Sequence, residues 1–584
     1  MSNPPVPGAA EREAPAATPR IAARSLPSSR SATDRGLEAA LCLGVLALGA
    51  WLAWRTRFRV NSDALNYLDL GDAIFRTGWG RAVNGLWSPL YPAILGFTMK
   101  ILRPSSYWES TVAHGVNFLL YAAGFASFRY FLRELRELFP SGADGRVSMI
   151  SLPPKLWSLF GYTLFAGCSL VLIRISVLSP DLLVAALVYL AAGLLLRIAG
   201  GERGFPPFAV LGAVLGLAYL AKTPMWWGAL LFLAAAFGIV RDVRVAAPRI
   251  ALAAALFVLI GSLYFLPLSR IKGRPTIGDS ARLNFAFHLN EKTVYWQGEP
   301  AGSGTAVHPM RQLLTAPGVY EFSTPIGGTY PPWYDPSYWM EGVSFAWKPQ
   351  HARKILLNVL DLYWVFTSFQ ASLFVGLMVL YAFAGKGPAS LRKMALRLWY
   401  VVLPSLAILS MYALVHVESR YVSPFIALLW LGLYSGVALP DTAGARRLIG
   451  SVALAVVLGM WVGMAGDLVL LTSSEQAAAG NGNVQWKVAQ QLKRSGIRPG
   501  DQLATLGAGN TAYWARLAGA RIVAQTRLPG DLWAADENTR REILRVLAKT
   551  GVQGVVGRDV PPGALSAGWL ALGDTGFSFY RFGR

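Results

Sequence analysis

Eleven stretches of mostly apolar residues dominate this chain: 37–54, 112–131, 156–173, 181–196, 207–221, 224–240, 250–268, 362–384, 398–415, 421–439 and 448–472. Runs of roughly 15–25 such residues are long enough to cross a bilayer core as helices, where every backbone polar group must be satisfied within the segment. The run 89–102 (PLYPAILGFTMKIL) is shorter and broken by proline, and reads as an interfacial or re-entrant segment. Apolar residues make up 54% of the 584 and charged residues 15%, against about 25% charged in a soluble domain. An ordinary cytosolic enzyme is disfavoured, and so is a disordered basic protein, which would lack the apolar content. The net charge of +22 would otherwise suggest nucleic acid, but the basic residues are scattered between apolar runs, so membrane topology accounts for them. Cys42 and Cys168 both fall inside apolar runs with no metal-type spacing, which indicates neither a disulfide framework nor a zinc site.

Orientation follows from Lys and Arg. With the N-terminus inside, the cytoplasmic pieces 1–36, 132–155, 197–206, 241–249, 385–397 and 440–447 hold twenty of them. The short external connections hold three: Arg174, Lys222 and Arg420. Residues 1–36, rich in Pro, Ala, Ser and Arg, read as a disordered cytoplasmic tail; no cleavable signal is visible, and 37–54 would act as a signal anchor. The membrane region is 37–472. Three larger pieces then gather on the external face: loop 55–111, loop 269–361 and tail 473–584. The tail alternates strand-like QLATL, RIVAQ, GVQGVVG and FSFYRF with helical AYWARL and RREILRVLA, and reads as a small extracytoplasmic α/β domain. Its GAGNTA (507–512) formally fits a dinucleotide fingerprint, but no acid follows at the next strand end, so a structural turn suffices and no nucleotide cofactor is expected.

Candidate functional residues lie at this external face. Ser62 is placed to cap a helix from Asp63 to about Arg76, ended by Gly78, with Asp69 and Asp72 three apart on one face. Asp63 either complements the helix dipole or serves as a general base or metal ligand. Lys222, before Pro224, is either a snorkelling anchor or an ammonium facing a lipid phosphate. The segment His416-Val417-Glu418-Ser419-Arg420-Tyr421 sets three ionisable groups between two spans. Arg420 has the fork geometry for phosphate oxygens, with Glu418 expected to orient it, unless the two form only a local pair. Loop 269–361 reads as turns and irregular backbone. Its Trp296, Tyr330, Trp333, Tyr334, Tyr338 and Trp339, near Asp335, Glu341 and His308, suit a sugar as well as an interfacial aromatic belt.

Four stretches carry a family likeness: Asp63 with LWSPLYP after it, SPDLLVAALVYLAA (179–192), GLAYLAKTP (216–224) and HVESRYVSP (416–424). In this order, across the whole membrane region, they resemble the GT-C class of polytopic glycosyltransferases, relatives of the protein O-mannosyltransferases and aminoarabinose transferases. The resemblance implies a polyprenyl-phosphate sugar donor and a glycan, lipid or protein acceptor, at a membrane such as the bacterial inner membrane. It implies Asp63 as base with Asp72 as understudy, and Lys222 and Arg420 on the departing phosphate, with His416, Glu418, Tyr421 and the aromatics Trp333, Tyr334 and Trp339 around the substrate. The chain departs from the mannosyltransferases in having one acid, not an adjacent pair, at the start of the first loop. A divalent cation therefore stays open, and no convincing ligand set is visible. A phosphate leaving group needs no general acid, so one base is sufficient for an inverting transfer. The competing class is a transporter or flippase of a lipid-linked or anionic substrate. That class predicts charges deep in the spans and duplicated halves, whereas the chain shows no repeat, and the deepest acid legible in it is Asp467.

Overall fold

The computed structural model describes residues 32–138, 149–150, 152–299, 301–322, 327–383, 398–435, 437, 439–479, 482–565 and 568–583. Most of the expected tail, residues 1–31, lies outside the described residues, and the first helix, Ala32–Arg55, begins five residues before the apolar run does.

Among the described residues five helices are long and apolar enough to cross a membrane: Arg35–Arg55, Pro154–Ile173, Asp181–Ala199, Val243–Lys272 and Ala443–Ser473. Their burial divides them. The apolar windows of Pro154–Ile173 and Asp181–Ala199 are 83% and 78% buried, so these two form the bundle's centre. Those of Arg35–Arg55 and Val243–Lys272 are each 22% buried. Apolar side chains left outward on that scale need an apolar solvent, which for a helix bundle is lipid.

The other apolar runs depart from a simple count of eleven equal spans. Phe205–Ala221, Met225–Val240, Trp399–Ala413 and Ser419–Ser435 have 15–17 residues, and Glu109–Leu138 has 30. The expected span 362–384 is broken: Gln350–Thr367 and Ala371–Phe383 meet at 77° across Ser368-Phe369-Gln370. The side-chain amide of Gln370 donates to Val365 O at 2.8 Å, and its amide oxygen accepts from Trp430 Nε1 at 2.5 Å, which satisfies polar groups at the break. The run 89–102 forms the 13-residue helix Leu90–Leu102 against Ser62–Thr77. Gly71 and Gly96 face each other there, and a Cβ on either would collide with the other's backbone. That close approach fixes the helix carrying Asp63.

The tail holds a mixed sheet. Its strand order is Arg311–Leu314, Val319–Glu321, Arg521–Thr526, Gln502–Leu506, Gly554–Arg558, Phe577–Arg581, Trp569–Ala571. Gln502–Leu506 runs parallel to both its neighbours, and the remaining pairs are antiparallel. Helix Glu537–Ala548 buries Ile543 and Leu547 with Val523, Ala504 and Val555 of the sheet. The first two strands come from loop 269–361. That loop is largely turns, but its hairpin joins the tail's sheet, so two pieces far apart in sequence share one core.

Candidate active site

Four helix ends converge at one end of the bundle, and each brings one charge. Asp63 sits in the first turn of Ser62–Thr77, and Asp181 is the first residue of Asp181–Ala199. Lys222 follows the last residue of Phe205–Ala221, and Arg420 is the second residue of Ser419–Ser435. Acids at helix N-termini complement the exposed N–H groups there. The N-cap of the Asp63 helix is Asn61, not Ser62, and its side chain makes no capping bond. Its amide turns to the neighbouring segment: Leu178 N donates to Asn61 Oδ1 at 2.9 Å, and Asn61 Nδ2 donates to Leu178 O at 3.4 Å. The segments leading to Asp63 and Asp181 are thereby tied together.

Arg420 bridges both carboxylates, with Nη2 3.2 Å from Asp63 Oδ2 and Nη1 3.6 Å from Asp181 Oδ2. Lys222 Nζ lies 2.5 Å from Asp181 Oδ1, and Ser179 Oγ donates to Asp181 Oδ2 at 2.8 Å. The ammonium also sits 3.2 Å above the Tyr421 ring centroid, while Arg420 Nη2 donates to the Tyr421 hydroxyl at 3.2 Å. Asp181 is 2% exposed and the other three charged side chains 14–19%, so the pairs meet in a weakly screened site open on one side. Burial, aided by the Arg420 charge, lowers the Lys222 ammonium to about 8, against the pull of Asp181 and Asp63. The two acids and two cations balance in charge.

Of the loop aromatics, Trp333 stands at this centre: its indole Nε1 donates to Asp63 Oδ1 at 3.4 Å. It is held by Trp87, whose Nε1 donates to Trp333 O at 2.9 Å and whose ring meets it edge-on. The expected aromatic platform is otherwise not displayed here. Trp296 is buried in a small core of the loop, Trp339 and Tyr330 in the main hydrophobic core, Tyr338 stacks on His308, and the Tyr334 carbonyl accepts from Asn84. Trp339 Nε1 donates to Pro331 O at 3.4 Å.

Glu418 does not orient Arg420 through a direct pair. Its Oε1 lies 3.5 Å from His416 Nε2, a contact that holds the Glu418 carboxyl below its usual range. The role given to Glu418 from the sequence belongs to Asp63 and Asp181. His416 in turn stacks on His288, with centroids 3.6 Å apart and planes 3° from parallel.

Asp72 is elsewhere. Nine residues along the helix from Asp63, it is displaced about 13 Å along the axis. There Arg516 of the tail gathers three acids: Nη1 is 2.7 Å from Asp69 Oδ1 and 3.0 Å from Asp72 Oδ2, and Nε is 2.9 Å from Glu109 Oε1. Thr329 donates to Asp69 through both its amide (2.7 Å) and its hydroxyl (3.0 Å). Burial pushes the Asp69 carboxyl up, with Arg516 opposing.

Sequence reasoning missed Asp181, Asn61, Trp87 and Arg516. Asp181 opens an apolar run at the same face as Asp63, a signal the chain did carry, whereas Asp467 is exposed on the flank of its helix. Among the described residues no three of His, Cys, Asp and Glu are grouped to hold a metal ion.

The arrangement, a helical bundle with charged helix ends gathered near a mixed-sheet domain, is similar to that of solved membrane enzymes. The solved structure of ArnT from Cupriavidus metallidurans in the apo state matches 93% of this chain and 98% of its own, with a TM-score of 0.51 at 12% identity. The same protein bound to undecaprenyl phosphate matches 94% and 98%, with a TM-score of 0.51 at 13% identity. An oligosaccharyltransferase from Archaeoglobus fulgidus matches 91% of this chain and 69% of its own, at a TM-score of 0.47 and 13% identity. At these identities the likeness is one of fold. No family model and no curated protein matches the sequence.

Proposed function

We propose that this protein is a membrane glycosyltransferase that moves a sugar from a polyprenyl-phosphate donor to an acceptor hydroxyl, with inversion. The observation that carries the proposal is the meeting of Asp63, Asp181, Lys222 and Arg420 at one end of the bundle. Two cations there suit a lipid phosphate, and one carboxylate beside them suits an acceptor proton. The ArnT fold match, in a structure holding undecaprenyl phosphate, supports a donor of that chemistry.

In this reading Lys222 and Arg420 bind the donor phosphate, and Asp181 keeps both cations in place. Asp63 takes the proton from the acceptor hydroxyl. The acceptor oxygen attacks the anomeric carbon from the face opposite the phosphate, and the bond from that carbon to the phosphate oxygen breaks. The electron pair leaves with the phosphate, whose growing charge the two cations offset. Trp333, beside Asp63, offers a ring face to the sugar. The site faces the external side of a bacterial inner membrane, with the N-terminus cytoplasmic, about eleven passes, and the tail domain 473–584 extracytoplasmic. The acceptor is a glycan, lipid or protein.

The test is incubation of the purified protein with radiolabelled polyprenyl-phosphate sugars. Release of polyprenyl phosphate from one of them is expected. Binding of none would overturn the reading in favour of a transporter of another anionic substrate.

A further inference from the structure

A cluster of lysines lies apart from the charge-balanced group of Asp63, Asp181, Lys222 and Arg420. Leu289–Lys292, Gly302–Ser303 and, further along, Ser344, Lys348 and Lys354 line a cavity of about 200 Å³ in the loop 269–361, at the start of helix Gln350–Thr367. Three lysines face it: Lys292, Lys348 and Lys354. Lys354 is partly neutralised, with Nζ 2.5 Å from Glu291 Oε1, the one acid in the wall. Lys292 Nζ donates to the Glu299 carbonyl at 3.1 Å. Lys348 has no carboxylate partner among the described residues.

Like charges set around a concavity repel one another unless something anionic lies between them. Lys292 shows the strain: burial and the Lys348 charge both lower its ammonium below the usual lysine range. Asn290, also in the wall, keeps a buried Oδ1 with no partner.

The cavity is linked to the charged cluster by a chain of contacts. Leu289 lines it, and His288 just before stacks on His416, which contacts Glu418, two residues ahead of Arg420. Lys354 Nζ donates to the His288 carbonyl at 3.2 Å, so one lysine belongs to both the cavity and the histidine stack.

We propose that the cavity lined by Lys292, Lys348 and Lys354 binds a phosphate group. That this phosphate is carried by the acceptor, and so orients it towards Asp63, rests on the transferase reading above. The phosphate comes either from a lipid headgroup or from a soluble phosphorylated molecule.

Lysine acylation of the full-length protein, read residue by residue by mass spectrometry, tests this. Inorganic pyrophosphate is the soluble probe, and vesicles of phosphatidylcholine with and without phosphatidylglycerol are the lipid probe. At least threefold slower labelling of Lys292 and Lys348 is expected with one of them, while the exposed Lys549 in the tail is unchanged. Protection by pyrophosphate identifies a soluble source, and protection by phosphatidylglycerol alone a headgroup. No protection by either, or equal protection of Lys549, overturns the proposal. Retention of undecaprenyl phosphate by the same sample is measured alongside. If that lipid binds and the cavity lysines stay unprotected, this proposal falls and the transferase reading stands.

Discussion

Arg420 Nη2 lies 3.2 Å from Asp63 Oδ2, joining residues 357 positions apart. In the proposed mechanism these two have opposite partners: the guanidinium takes the donor phosphate and the carboxylate takes the acceptor proton. The resting site therefore holds its own base on its own phosphate binder. Donor binding has to part them, and Asp63 becomes free to act only once a phosphate has replaced it on Arg420.

Removing the Asp63 charge should then help binding while stopping chemistry. In Asp63→Asn the phosphate no longer competes with a carboxylate for Arg420. A partly exposed pair of this kind is worth about 1 kcal/mol, or about fivefold in affinity. Undecaprenyl phosphate should bind the variant about fivefold more tightly, measured by calorimetry in detergent. Weaker binding would show that Asp63 is itself part of the phosphate site.

Asp181 holds both cations and is almost fully buried. Breaking a buried pair by removing one partner costs about 3–5 kcal/mol. Asp181→Asn should lower the melting temperature of the ligand-free protein markedly. Undecaprenyl phosphate, which restores an anion to Lys222 and Arg420, should raise that temperature more in the variant than in the parent. Equal shifts would contradict the shared role.

Lys222 gives a pH signature. Its ammonium falls to about 8 in the folded protein, mainly through burial, against about 10.4 in an unfolded chain. Between those values the unfolded state binds the extra proton, so the contribution of Lys222 to stability rises as pH climbs from about 8 to about 10.4. Phosphate binding runs the other way, because it uses the ammonium: affinity for undecaprenyl phosphate should fall as pH rises through about 8. Lys222→Arg should flatten that fall, since a guanidinium keeps its proton. A pH profile that Lys222→Arg leaves unchanged would assign the titration to another group.

Arg516 clamps the tail onto the helix that carries Asp63. Its fork meets Asp69, Asp72 and Glu109 together, which a single ammonium cannot reproduce. Arg516→Ala leaves three acids facing one another and should destabilise by about 3–5 kcal/mol. Arg516→Lys should recover only part of that. Thermal unfolding of the two variants checks the order, and full recovery by lysine would reduce the contact to simple charge balance.

Much of this was legible in the chain. Apolar runs marked the helices, Lys222 and Arg420 stood out as charges in short connections between such runs, and Asp63 as an acid in the first turn of a loop helix. The break at Ser368-Phe369-Gln370 falls on polar residues inside the run 362–384, but a few polar residues do not by themselves mark a bend that Gln370 and Trp430 stabilise by tertiary contact. Asp181 drew no reading of its own, because the two cations that give it a role arrive from other helices. Glu418 was misjudged for the opposite reason: closeness in sequence suggested a pair with Arg420 that the start of a helix does not allow. Asp72 shares a helix with Asp63, but the pitch carries it to Arg516, a residue of the tail that no local pattern connects with the first loop.

The most direct test of the central claim compares the parent protein and Asp63→Asn, each given the radiolabelled polyprenyl-phosphate sugar that the parent turns over. Base catalysis supplies about 10²–10⁴-fold in rate. The variant is expected to bind the donor at least as tightly as the parent and to release polyprenyl phosphate at least a hundredfold more slowly. Release at the parental rate from a variant that binds the donor would contradict Asp63 as the base, and with it this account of the site.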